Sequence, residues 1–164
     1  LSAAAQPPGP AAQGAAATAV YDATAVDTPA VLLTRTISRT PANSRPPFGA
    51  QLVVEFVVDP QGQTREVTIV AARATLASGR VFEEADLATL RRLGDLDGIP
   101  PGAPFPEVIR QLTAPFRDPG VEAVSRWRYR AATKDGVAVA SRVTATVNIA
   151  GLDSRPLEIG RAHV

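Results

Sequence analysis

GAQLVVEFVVDPQGQTREVTIVAA, residues 49–72, decides the fold. Leu52, Val54, Phe56 and Val58 alternate with Gln51, Val53, Glu55 and Val57, so one face of an extended strand is wholly apolar and the other mixed. Asp59-Pro60-Gln61-Gly62 interrupts the pattern. Proline presets the second position of a turn, and glycine admits a positive φ. Thr64–Ala72 then resumes the alternation and returns as a second strand. The stretch predicts an antiparallel β-hairpin.

Further along, RWRYRAATKDG (126–136) interleaves basic and aromatic residues. As a strand begins, Trp127 and Tyr129 face one way and Arg126, Arg128 and Arg130 the other. Asp135-Gly136 is a strong short hairpin signal. SRVTATVNIA (141–150) follows, with Val143, Ala145, Val147 and Ile149 on an apolar face and Arg142, Thr144, Thr146 and Asn148 on a polar one. A nucleic-acid platform needs surplus basic charge and exposed rings. The net charge is +1, and both rings share the core face. The stretch therefore reads as a helix-to-strand junction, and no nucleic-acid partner is expected.

Between these hairpins, FEEADLATLRRL (82–93) has leucines near helical spacing, acids early and arginines late, which suits a short helix. FPEVIRQLTAPF (105–116) suggests a second helix bounded by prolines. Asp118-Pro119 reads as the N-cap and first position of a third, running into VEAVSRW. Upstream, Val31–Leu33 and Ile37 suggest a short strand or lead-in, and SRTPANSRPPFG a loop. The order is hairpin, helices, hairpin. The expected class is α+β: a small antiparallel sheet with helices packed on one face.

The 164 residues include no cysteine and one histidine, His163, which excludes thiol chemistry and disulfides. Ile159–Val164 matches the translation of a widely used sequencing adapter and is read as an artefact, which would remove the histidine too. Glu83, Glu84 and Asp86 suit a helix start, and Asp95, Asp97 and Gly98 lack the further oxygens of a calcium loop. Gly49 and Gly62 read as backbone-geometry positions. No catalytic, cofactor or metal residue is singled out, and an enzyme is not expected.

Residues 1–25 are Ala/Pro/Gly-rich and read as a flexible linker or a signal-peptide remnant. The expected domain covers 26–152, with 153–164 a tail. No run of 18 apolar residues suggests a membrane-spanning helix.

The opening hairpin with Gly49, Asp59 and Gly62, and the closing half with Trp127, Tyr129 and Gly136, together resemble the TonB C-terminal domain family. Two departures are visible. Thr40-Pro41-Ala42 stands where the family carries Tyr-Pro, and residues 74–119 form an insertion where the connection is normally short. The resemblance implies a periplasmic location and no catalysis. It implies an N-terminal anchor coupled to inner-membrane proton-driven motor proteins. Its partner would be the N-terminal segment of a TonB-dependent outer-membrane transporter, captured by β-strand addition so that energy reaches active uptake. The capturing edge would be the last strand: Ser141, Arg142, Val143, Thr144, Ala145, Thr146, Val147, Asn148 and Ile149. A homodimer is compatible with this family. So are two other settings: a stand-alone exported interaction module, and a domain appended to a membrane sensor or peptidase.

Overall fold

The computed structural model describes residues 19–151. The expectations for residues 1–18, for the tail at 153–164, for the adapter-like end and for His163 lie outside the described residues.

The hairpin forms as its alternation requires. Strand β3 spans Gly49–Val58 and β4 spans Thr64–Thr75, ending past the expected Ala72. Leu52, Val54, Phe56 and Val58 are all fully buried. Two short strands precede the hairpin: β1 (Val20–Tyr21) and β2 (Val31–Thr34). Ile37 is exposed and lies outside β2. After β4 come a 3-10 turn (Glu84–Asp86), helix α1 (Leu87–Arg92) and helix α2 (Phe105–Ser125). Strands β5 (Arg128–Arg130), β6 (Ala132–Lys134) and β7 (Val137–Ile149) close the fold. The main sheet has the order β1-β7-β3-β4 with β6 also on β7, while β2 and β5 form a separate antiparallel ribbon. The class is α+β.

Three expectations are corrected. The strand read as running from Trp127 to the Asp135-Gly136 turn is two: Arg128–Arg130 pairs with β2, and Ala132–Lys134 forms the closing hairpin with β7. The two helices expected on either side of Pro115 to Pro119 are one helix of 21 residues with both prolines inside it. Each proline lacks an N–H and deprives the carbonyl four residues earlier of its helical donor, which normally costs ~3 kcal/mol or more. The continuous buried row Val108, Leu112, Phe116, Gly120 and Val124 outweighs that break, because every fourth residue falls on one face. The third correction concerns residues 20–25, read as the end of a tether. They are built into a short strand and a 3-10 turn.

The chain divides into two compact units, and β3, β4 and β7 run through both. The first unit holds the described residues up to Thr36, Glu55–Val67 and Ser125–Thr144. Its core is aromatic: Phe56 meets Trp127 edge-on at 6.2 Å and Tyr129 at 5.7 Å. The second unit holds Ile37–Val54, Thr68–Val124 and the residues from Ala145. Its core joins Phe48 and Ala74 to Phe82, Leu96, Ile99, Val108 and Leu112. Most of that core comes from residues 74–119. Pro119, the expected end of the segment read as an insertion, falls inside α2.

Candidate functional site

Strand β7 begins at a tight turn. Asp135 and Gly136 both take positive φ, +52° and +80°, the conformation a two-residue hairpin turn demands. The strand then runs to Ile149 beside β3. Gln51 Nε2 donates to Asn148 Oδ1 at 3.3 Å, and Arg142 approaches Glu55 at 3.9 Å. Numbers rise on one strand as they fall on the other, so the pair is antiparallel. Arg142, Thr144, Thr146 and Asn148 are exposed, Val143 and Ala145 half-buried, and Val147 and Ile149 buried. This is the alternation read from the sequence.

The opposite edge of β7 has a different fate along its length. Just past Val137–Val139, which pair with β6, β1 pairs with it in parallel, Val20 opposite Ala140 and Tyr21 opposite Ser141. From Arg142 to Ile149 no strand among the described residues pairs with that edge. Of the nine residues expected to form the capturing edge, Ser141 is therefore covered and the other eight lie along an open stretch. Ser141 is almost fully buried, and its hydroxyl is the one buried side-chain polar atom without a hydrogen-bond partner among the described residues.

The sheet ends on its other side with β4. That edge is blunted. Glu66 takes φ +57°, which distorts the strand near its start, and isolated bridges Gln63–Arg128 and Thr75–Val81 stand at its two ends. From Arg142 to Ile149, strand β7 carries no such distortion.

The remaining motif residues are scaffolding for this sheet. At Gly49 an added Cβ would overlap the Ile149 carbonyl oxygen and lie 2.7 Å from Thr75 Oγ1. Only glycine lets the end of β7 come so close. Trp127 and Tyr129 point inward and Arg126, Arg128 and Arg130 outward, as the alternation predicted. Asp59 caps the first hairpin turn. Its Oδ1 accepts the backbone N–H of Gln61 (3.0 Å) and Gln63 (2.9 Å), and Oδ2 accepts Arg65 Nε at 2.6 Å.

Burial pushes the Asp59 carboxyl upward. The Arg65 hydrogen bond, the Gln63 and Gln61 N–H groups and the Arg65 charge together outweigh it and hold the carboxyl below its ordinary value. A folded-state value below the unfolded one gives stability that is complete above about pH 4 and lost as pH falls through the folded value. Asp59→Asn is therefore expected to lower Tm at pH 7 and to flatten its fall as the pH drops below about 4. Thermal melts of both proteins across that range check this. Parallel curves would show that Asp59 does not contribute through its charge.

Of the carboxylates weighed in the sequence, Glu83 and Asp86 serve local structure. Asp86 accepts the Glu83 N–H at 2.8 Å and pairs with Arg80 at 2.9 Å, closing a reciprocal cap on the 3-10 turn. Among the described residues no three acidic or histidine side chains gather to hold a metal ion, and no helix is long and apolar enough to cross a membrane. Sequence reasoning missed β1. Its only signal was Val20-Tyr21, two bulky residues at the end of an alanine tract. Comparison with protein-family models and with the curated proteins finds no match to this chain.

Proposed function

We propose that this chain is a TonB-like periplasmic domain that captures an extended segment of an outer-membrane transporter by β-strand addition. Anchored at its N-terminal side to an inner-membrane proton-driven motor, it passes energy to active uptake. One observation carries the reading: β7 has an open edge from Arg142 to Ile149, while its other edge is held by β3. An open edge offers main-chain donors and acceptors in register for an incoming strand. The exposed row Arg142, Thr144, Thr146 and Asn148 keeps such an edge soluble while it is empty.

Proline substitution tests this. Consecutive residues of a strand send their N–H groups to opposite edges. Of Val143→Pro and Thr144→Pro, one removes a donor from the open edge and leaves the β3 ladder whole. The other removes a ladder bond and destabilises the sheet. Labelled peptides covering the N-terminal segments of TonB-dependent transporters are expected to bind the native chain. The folded edge variant should lose at least about tenfold in affinity, because each unmade donor leaves a peptide carbonyl unpaired. Native-like binding by that folded variant would refute capture at β7.

A further inference from the structure

The residues that lead into β2 are stitched to the β6–β7 hairpin, all within the first unit. Val20 and Tyr21 pair with Ala140 and Ser141. Lys134 Nζ sits 5.8 Å over the Tyr21 ring and donates to the Ala25 carbonyl at 3.3 Å. Asp27 is the firmest stitch. Its Oδ2 accepts the backbone N–H of Asp135, at the hairpin turn, at 2.7 Å. The Asp27 and Thr28 N–H groups both donate to the Thr133 carbonyl, and the Thr133 N–H returns to Thr28.

The stitches differ in strength along the segment. Asp27 and Thr28 make a charge-assisted bond and a backbone bridge. β1 makes only two residues of parallel pairing, and Val20 is exposed. The Asp22 side chain makes no capping bond to the 3-10 turn that follows. β1 is thus the more weakly held end of the segment, and Asp27 the more firmly held one. The position of β1 matters more than its strength. It lies on β7 up to Ser141 and turns away at Ala23–Ala25, so it stops where the open edge starts.

We propose that β1 is an internal competitor for the capture edge. A strand pairing with Arg142–Asn148 meets Tyr21 end to end, and it reaches Ser141 and Ala140 only by displacing β1. Release of β1 therefore lengthens the acceptor and tightens capture; retention of β1 keeps it short. This rests on the capture reading and adds its regulation.

The full chain can be locked and released. It contains no cysteine, so Val20→Cys with Ala140→Cys creates a single possible disulfide, between directly paired residues at the ordinary strand spacing. Tyr21→Pro removes an N–H and the ring under Lys134 and so frees β1. Binding of the pooled transporter peptides is measured for the native chain, the oxidised and reduced double variant, and Tyr21→Pro. Amide exchange is followed in parallel. The expected order is Tyr21→Pro tighter than native by about fivefold, one or two extra backbone bonds' worth, with the oxidised form weakest and restored by reductant. Exchange at whichever of Ala140 and Ser141 turns its N–H toward β1 should quicken in Tyr21→Pro, while Leu52–Val58 stays protected. Equal affinity in all forms would overturn the competitor role and leave capture standing. Unchanged exchange at Ala140 and Ser141 would overturn it as well, since β1 would then not cover them. Binding by none of the forms would overturn the capture reading, and the competitor role with it.

Discussion

Trp127→Ala is expected to cost about 4 kcal/mol of folding free energy, a large share of what a domain of this size has to spare. Trp127 is 2 % exposed, so the substitution removes an entire buried indole. Three separate contacts go with it. Phe56 loses its edge-on partner, the ring pair set at 90°. The indole N–H donates to the Thr36 carbonyl at 2.9 Å, and that carbonyl is left without it. The Arg35 guanidinium, 5.1 Å over the ring, loses its aromatic partner. Trp127→Phe restores most of the volume but not the N–H, and is expected to cost only about 1–2 kcal/mol. Urea unfolding followed by circular dichroism checks both, since the chain's single tryptophan is the natural fluorophore and is lost in each. A loss below about 1.5 kcal/mol in Trp127→Ala would mean that the site collapses around the gap, and that Trp127 does not anchor the aromatic core.

How much of this was legible depends on whether the signal was local. The alternation Leu52, Val54, Phe56, Val58 fixes its own consequence, because a period of two allows one inward face whatever lies opposite. The inward turn of Trp127 and Tyr129 followed from the same rule. Which strand they would join did not. β2 and β5 pair across a long separation in sequence, and nothing in VLLT names its partner. Pro115 and Pro119 misled for a physical reason. Local propensity charges each proline its full cost, and only the buried row from Val108 to Val124 shows what offsets it. The candidate edge was half legible. The polar row Arg142 to Asn148 is written in the sequence, but the cover over Ala140 and Ser141 comes from two residues at the end of an alanine tract, too short to show a period.

Gly62→Ala is expected to destabilise by at least about 3 kcal/mol, and two costs add to give that figure. The first is conformational. Gly62 has φ +83°, where an L-residue pays roughly 1–2 kcal/mol. The second is a close approach. A Cβ at Gly62 would overlap the main-chain carbonyl oxygen of Tyr129. That oxygen has little room to retreat, since the Tyr129 N–H is bonded to the Gly62 carbonyl at 2.9 Å and Gln63 bridges Arg128. β5 would have to lift, and Tyr129 with it, out of contact with Phe56. Gly79 separates the two costs. Its φ is +91°, almost the same, but an added Cβ there meets nothing within 4 Å. Gly79→Ala therefore pays the φ cost alone, about 1–2 kcal/mol, less the few tenths gained by stiffening the unfolded chain. Paired urea titrations of the two variants read the difference directly. A gap of about 1.5 kcal/mol or more assigns the excess to the Gly62–Tyr129 contact, and so ties the first hairpin turn to the aromatic core. Equal losses would leave the turn as mere backbone punctuation, and β5 would owe its place to β2 alone.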